Sequence, residues 1–215
     1  MTTSTRTGTR RCFDAVLCDL DNVIRFYDAK ALTALEREAG VPEGTTTRLA
    51  FAPERDGPLL LGRITRGQWT DSIAAGLHAE AGLPAQRARE LATAFAEAPF
   101  SADEEVVSLL RRVRAAGVAL VLVTNATLEL EDDLASLGLT DLADHVVSSA
   151  RVGVAKPDRE IYEIAAARAG APAGRCLFVD DRAENVEAAV ALGMTGVHYR
   201  GPADLHGPLG SLLSA

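Results

Sequence analysis

The chain has 215 residues, of which 47% are hydrophobic and 24% are charged, so it can bury a full core and is not a disordered chain. Its formal net charge of −8 argues against a protein that grips the phosphate backbone of nucleic acid, because such a protein needs a basic face. The cysteines Cys12, Cys18 and Cys176 are odd in number and lack the spacing of a metal site. We therefore expect a reduced, cytoplasmic protein without a nucleic-acid partner.

The N-terminal segment is polar and rich in threonine and arginine, and we expect a mobile tail over residues 1–11. It lacks the apolar segment of a secretion signal. The apolar runs elsewhere are far shorter than the roughly 18 residues that a membrane span needs. The sequence therefore predicts no membrane partner, and it makes no prediction about the oligomeric state.

Short apolar runs along the chain predict buried strands, and helical patterns lie between them. The runs are Ala15 to Asp19, Val118 to Thr124, His145 to Ser148, Cys176 to Asp180 and Thr195 to Tyr199. Strands that alternate with helices require crossover connections, so we predict an α/β fold with a doubly wound, mostly parallel sheet. Ser101 and Glu104 also predict a capping box at the start of the helix that precedes the second strand.

The stretch from residue 25 to residue 100 interrupts this alternation, because it offers helical patterns without a convincing strand between them. The apolar stripes are Leu32, Leu35 and Ala39; Trp69, Ile73 and Leu77; and Ala88, Leu91, Ala92 and Phe95. We predict a small helical cap domain over 25–100, inserted into a core domain made of 12–24 and 101–215. Trp69 is expected in the cap core rather than as a platform for substrate.

Polar residues stand at the ends of the predicted strands. Asp19 and Asp21 follow the first strand, Thr124 ends the second, and Asp180-Asp181 ends the fourth. The carboxyl ends of parallel strands form the edge where open α/β sheets bind ligands. Two unit charges about 4 Å apart interact by roughly 4 kcal/mol at an effective dielectric of 20, so clustered aspartates need a cation. Lys156 and a hard, oxygen-liganded ion such as Mg²⁺ would supply it.

These motifs, in this order, resemble those of the haloacid dehalogenase (HAD) superfamily, especially its members with a small helical cap after the first motif. Asp19-Leu20-Asp21-Asn22-Val23 resembles the first motif, Thr124 the second, Lys156-Pro157 the third, and Asp180 to Asn185 the fourth. The resemblance implies a HAD-like Rossmannoid core and a Mg²⁺-dependent phosphatase that acts on a small phosphorylated metabolite through an aspartyl-phosphate. Asn22 stands where glycine is common, and asparagine tolerates the left-handed backbone of a tight turn.

The same resemblance implies a role for each matching residue. Asp19 would be the nucleophile, and Asp21 the acid that protonates the leaving oxygen and later activates water. The phosphate-binding residues would be Thr124, Asn125 and Lys156. The metal ligands would be Asp19, the backbone carbonyl of Asp21, and Asp180 and Asp181, with the division between the last two left open. Arg25, directly after the first motif, is a candidate substrate contact.

Other functions share parts of this pattern. A phosphomutase would use the same aspartyl-phosphate and return the phosphoryl group to another hydroxyl. A haloacid dehalogenase attacks carbon, needs no metal and generally lacks the second acid, so Asp21 argues against it. A receiver-type signalling module lacks a long insertion after the first strand. A non-catalytic binding protein would not need the full set of motif residues. The histidines His78, His145, His198 and His206 are scattered, and we expect them to be structural or exposed to solvent.

Overall fold

The computed structural model of the protein describes residues 11–213, and the predicted tail over 1–11 lies, apart from its last residue, outside the described residues. The strands are β1 (Ala15–Cys18), β2 (Arg25–Tyr27), β3 (Phe100–Ala102), β4 (Ala119–Thr124), β5 (His145–Ser148), β6 (Cys176–Asp180) and β7 (Thr195–His198). The helices are α1 (Lys30–Glu38), α2 (Thr45–Ala50), α3 (Pro53–Leu60), α4 (Arg66–Glu80), α5 (Ala85–Ala96), α6 (Glu104–Ala115), α7 (Leu130–Ser136), α8 (Ser149–Val152), α9 (Arg159–Ala169), α10 (Ala183–Ala191) and α11 (Ala203–Leu213). Within this range no helix is both long enough and apolar enough to cross a membrane.

The main sheet has five parallel strands in the order β5-β4-β1-β6-β7. β1 lies in the middle, where Leu17 pairs with Val121 of β4 and Phe178 of β6. All four residues of β1 are buried, as expected for a strand that is covered on both faces. The order reverses at β1, which confirms the predicted doubly wound α/β sheet.

Alternate residues of the sheet strands pack into two separate hydrophobic cores, one on each face of the sheet. Val16, Leu120 and Leu177 pack on one side with residues of α6, α7 and α11. Their neighbours Leu17 and Phe178 pack on the other side with residues of α9 and α10. The near-continuous apolar runs seen in the sequence are thus the signature of strands that bury both faces.

Helices α1 to α5 form a cap between β2 and β3, and they have a hydrophobic core of their own. Ile73 and Leu77 of α4 and Leu91 of α5 are fully buried there. Trp69 is 8% exposed, and its indole Nε1 donates to the carbonyl of Ala50 at 3.3 Å. This position confirms that Trp69 belongs to the cap core.

A short antiparallel strand pair, which the sequence analysis did not predict, joins the cap to the sheet. Arg25 of β2 pairs with Ala102 of β3, and Phe26 pairs with Ser101. Each strand has only three residues, too few for a period of two to be visible in the sequence. The pair lies at the two ends of the segment predicted as the cap domain, and the domain division itself stays a prediction.

The predicted capping box from Ser101 to Glu104 is wrong. Ser101 lies in β3, so it cannot cap the helix. The N-cap of α6 is Asp103, whose side chain accepts from the backbone N–H groups of Glu105 and Val106 at 2.9 and 3.1 Å. Because Ser101 belongs to β3, the N-cap of α6 lies two residues later in the chain than the local sequence pattern predicts.

Candidate active site

The predicted site residues converge at the carboxyl edge of the sheet. Asp19 directly follows β1, Thr124 ends β4 and Asp180 ends β6. Because β4 and β6 flank β1, these residues lie side by side. The location agrees with the general rule that open α/β sheets bind ligands where the strand order reverses.

A tight turn after β1 shapes the first motif. The carbonyl of Leu20 accepts from the N–H groups of Ile24 and Arg25, both at 2.8 Å. Asn22 has a φ of 60°, the left-handed conformation that asparagine tolerates better than most residues. Its side-chain amide donates to Asp181 Oδ2 at 3.1 Å, which ties the first motif to the fourth.

Lys156 lies between two buried carboxylates. Its Nζ is 2.7 Å from Asp19 Oδ1 and 2.6 Å from Asp180 Oδ2, and its side chain is 1% exposed. Burial acts against the charged ammonium, but the two carboxylates outweigh it and raise the pKa of Lys156 above its ordinary value. The lysine therefore stays protonated and can pair with a phosphoryl oxygen beside Asp19.

Asn125 fixes the backbone of Lys156 on both sides. Its amide nitrogen donates to the Lys156 carbonyl at 2.9 Å, and its amide oxygen accepts from the Lys156 N–H at 2.7 Å. Both polar atoms of the side chain are thus engaged with protein. A direct bond from Asn125 to phosphate stays a prediction, and in this structure the residue holds the lysine in place.

Asp180 has partners for both oxygens. Oδ2 accepts from Lys156, while Oδ1 accepts from the Arg182 N–H and from the Asn185 side chain, each at 2.9 Å. Asp181 has a polar contact to Asn22 and is only partly buried. Burial and the neighbouring Asp180 raise the pKa of Asp181.

Asp19, Asp180 and Asp181 each offer one oxygen, and these atoms lie within 4.8 Å of one another. The Lys156 ammonium compensates only part of this negative charge. Burial, with a further contribution from Asp180, raises the pKa of Asp19 to about 8 despite the opposing effect of Lys156. An all-oxygen donor set with surplus negative charge fits a hard divalent cation such as Mg²⁺, which binds one or two carboxylates and fills its remaining positions with water and phosphate oxygens.

The hydroxyl of Thr124 is buried and has no hydrogen-bond partner among the residues that the structure describes. A buried polar atom without a partner is costly in a folded protein and calls for an explanation from function or from a bound molecule. Since Thr124 ends β4 beside β1, a phosphoryl oxygen bound near Asp19 would supply the missing partner.

The Arg25 side chain is paired with carboxylates of the protein. Its guanidinium contacts both oxygens of Asp21 and one oxygen of Asp133, a residue of α7. Asp133 was not predictable from the sequence, because it lies in an acidic helix start together with Glu131 and Asp132 and no pattern separates the inward residue from the outward ones. A substrate contact by Arg25 stays a prediction.

The histidines lie at the surface, and two of the cysteines are buried. His78, His145, His198 and His206 are all exposed, and none belongs to the acidic cluster in the described part of the chain. His198 contacts the backbone carbonyl of Asp181 at 2.9 Å through its Nε2. The cysteines are free, with Cys18 and Cys176 buried in adjacent strands.

Several known proteins are similar in sequence to this chain. A family model for haloacid dehalogenase-like hydrolases matches residues 13–193. The chain is 36% identical over 125 residues to the sesquiterpene phosphatase astK of Aspergillus oryzae, covering 57% of this chain and 62% of that protein. It is 33% identical over 122 residues to the phosphoserine phosphatase of Thermus thermophilus, covering 55% and 49%. The chain thus spans less than two thirds of either relative.

Among solved structures, a HAD family enzyme of Bacteroides thetaiotaomicron in complex with magnesium and inorganic phosphate is similar in fold. The TM-score is 0.64 at 18% identity, over 86% of this chain and 92% of that one. The likeness establishes the architecture, while the family model covers most of the sequence. The chain therefore belongs to the haloacid dehalogenase-like hydrolases, with a Rossmann-like core and a helical cap.

Proposed function

We propose that this protein is a Mg²⁺-dependent phosphatase that acts on a small phosphorylated metabolite through an aspartyl-phosphate intermediate. The observation that carries the proposal is the buried Asp19 carboxylate, 2.7 Å from the Lys156 ammonium and grouped with Asp180 and Asp181. A carboxylate can attack phosphorus when nearby cations offset the approaching charge. Asp19, Asp180 and Asp181 would hold Mg²⁺, which neutralises charge on the phosphoryl oxygens when bound.

In the first step, an oxygen of Asp19 attacks phosphorus and the ester oxygen leaves. Asp21 gives its proton to that oxygen, so the product departs as an alcohol. Lys156 and the Thr124 hydroxyl hold the phosphoryl oxygens. In the second step, Asp21 takes a proton from water, the water oxygen bonds to phosphorus, and Asp19 is released together with inorganic phosphate.

Asp21 favours phosphate chemistry over dehalogenation, because a halide leaving group needs no proton. Two relatives are named phosphatases and another, 36% identical over 93 residues, is named a haloacid dehalogenase, so the choice rests on Asp21. The Bacteroides enzyme with this fold was crystallised with magnesium and inorganic phosphate. We expect the cap over residues 25–100 to select the metabolite.

The test is the release of p-nitrophenol from p-nitrophenyl phosphate, with Mg²⁺ and with excess chelator. We expect metal-dependent activity in wild type and a loss of at least about 10³-fold in Asp19→Asn, since the nucleophile is removed. Asp132→Asn is the matched control, because Asp132 is an exposed aspartate of α7 outside the acidic cluster. Full activity in Asp19→Asn, or activity that survives the chelator, would contradict the proposal.

A second measurement separates hydrolysis from phosphomutase activity. With sugar phosphates as substrates, a phosphatase releases one inorganic phosphate for each substrate consumed. A mutase instead forms an isomeric sugar phosphate without release. Isomerisation without phosphate release would replace the phosphatase proposal with the mutase.

A further inference from the structure

The Arg25 side chain ends directly on the carboxylate of Asp21. Its Nε lies 2.6 Å from Asp21 Oδ1 and its Nη2 lies 3.0 Å from Oδ2, so the two planar groups meet as a fork. Its Nη1 donates to Asp133 Oδ2 at 2.8 Å. The side chain of Arg25 is 4% exposed, whereas that of Asp21 is 31% exposed. The cation thus holds the carboxylate from the protein side and leaves part of it open to solvent.

The backbone of Arg25 is held by the same turn that carries Asp21. Its N–H donates to Leu20 and its carbonyl accepts from Asn22, both at 2.8 Å. The rings of Tyr27 and Phe100 lie 5.1 and 5.3 Å from its guanidinium carbon. Such packing leaves the arginine little rotamer freedom, so it serves as a rigid support rather than a mobile charge.

We propose that Arg25 is a positioning residue for Asp21. This inference rests on the proposed function, in which Asp21 exchanges a proton with the leaving oxygen. An aspartate on a tight turn can sample several rotamers, and only an orientation toward the ester oxygen is productive. A displacement of about 1 Å can cost around 10²-fold in rate. The fork from Arg25 fixes the carboxylate plane, while each oxygen keeps a second lone pair for the proton that is transferred.

Asp133 anchors this support to the core. It accepts from Arg25, and it also lies 3.6 Å from Arg66, the first residue of α4 in the cap. Three of the five N–H groups of Arg25 donate to carboxylates, and its side chain is only 4% exposed, so little of the guanidinium is open to a substrate. The arrangement therefore favours a role for Arg25 through Asp21 over a role in substrate binding.

The experiment compares two phosphate monoesters whose leaving groups differ in their need for a proton. The p-nitrophenolate of p-nitrophenyl phosphate leaves readily, whereas the alkoxide of glycerol 3-phosphate depends on a general acid. General acid catalysis typically contributes about 10²- to 10⁴-fold. For Arg25→Gln we expect kcat/KM on the alkyl ester to fall about tenfold more than kcat/KM on the aryl ester, because kcat/KM reports phosphoryl transfer to Asp19 and not the hydrolysis step that both esters share.

Arg114→Gln is the matched control, because Arg114 also pairs with an aspartate, Asp144, at 2.7 Å but lies on α6 outside the site. It should not change the ratio between the two esters. In Asp21→Asn, the additional change Arg25→Gln should cost nothing further on the alkyl ester, since residues that act as a unit are not additive.

Three kinetic results would overturn the inference. A raised KM with unchanged kcat in Arg25→Gln would make Arg25 a substrate contact. An equal fall in kcat/KM on both esters would mean a general structural role. A loss in the double variant that equals the product of the single losses would show that Arg25 acts independently of Asp21.

Arg25→Lys is a second variant, which is used if Arg25→Gln does not fold. Lysine keeps the buried positive charge, but a single ammonium cannot form the fork with Asp21 and reach Asp133 as well. Crystal structures of wild type and Arg25→Lys add a readout that needs no turnover. We expect one Asp21 rotamer in wild type and a rotated or multiple Asp21 side chain in the variant, and an unchanged Asp21 would overturn the inference. If wild type hydrolyses no ester, the proposed function fails, and the crystal structures still decide the positioning role.

Discussion

Replacing Lys156 with methionine removes the buried cation between Asp19 and Asp180 and keeps a side chain of similar length. The ammonium lies 2.7 and 2.6 Å from the two carboxylates, whose side chains are 8% and 0% exposed. Without it, the two buried carboxylates have no counter-ion between them, and the pKa of Asp19, which burial already raises to about 8, rises further. Removing one partner of a buried ion pair typically costs about 3 to 5 kcal/mol.

We therefore expect Lys156→Met to lower the free energy of unfolding by about 3 to 5 kcal/mol in chelator, as measured by urea denaturation at pH 7. In a chain of this size that corresponds to a fall in Tm of about 6 to 20 °C. Added Mg²⁺ should restore part of the loss, because a cation at the carboxylates binds only the folded state. The control Lys30→Met removes a lysine that is 93% exposed and should change stability by less than about 0.5 kcal/mol.

A loss below about 1 kcal/mol in Lys156→Met would refute the reasoning, since it would mean that the carboxylates do not need the ammonium. A loss that is the same in chelator and in Mg²⁺ would contradict the inferred metal site. Activity offers a second check, because Lys156 also holds the phosphoryl group in the proposed mechanism. We expect the variant to lose at least about 10²-fold in kcat/KM on p-nitrophenyl phosphate.

Further predictions concern the turn, the cap and pH. Asn22 has a φ of 60°, so Asn22→Ala should cost about 1 kcal/mol in urea denaturation, whereas Asn22→Gly should cost less; equal losses would contradict the turn strain. Burial raises the pKa of Asp56 to about 6, above its unfolded value. Ionisation of Asp56 therefore lowers the free energy of unfolding as pH rises from about 4 to 6. The free energy of unfolding of Asp56→Asn should exceed that of wild type by about 1 kcal/mol at pH 8 and equal it at pH 4. A gain that does not depend on pH would exclude the buried carboxylate as its cause. A Cβ on Gly62 would lie 2.8 Å from the Ala150 carbonyl oxygen, so Gly62→Ala should destabilise the chain by about 1 to 3 kcal/mol more than Gly82→Ala, which has a similar φ and no atom within 4 Å. Equal costs for the two glycines would mean that the loop shifts freely.

The sequence by itself determined the core of the fold and which candidate polar residues lie together at the sheet edge. The apolar runs before Asp19, Thr124 and Asp180 indicated strands buried on both faces, and the sheet found here has them adjacent. Residues at the carboxyl ends of neighbouring parallel strands must then lie close together, whatever the details of the connecting helices. Trp69 was likewise predictable, since a helical apolar stripe has to pack against other helices.

Tertiary structure alone decided which polar groups pair. The strands β2 and β3 are separated by the whole cap, and three residues each are too short to show a period. With Ser101 in β3, the N-cap of α6 is Asp103. Asp133 reaches the same arginine from a helix 108 residues away in sequence. Pairing between side chains depends on distances across the fold, which local periodicity and propensity do not encode.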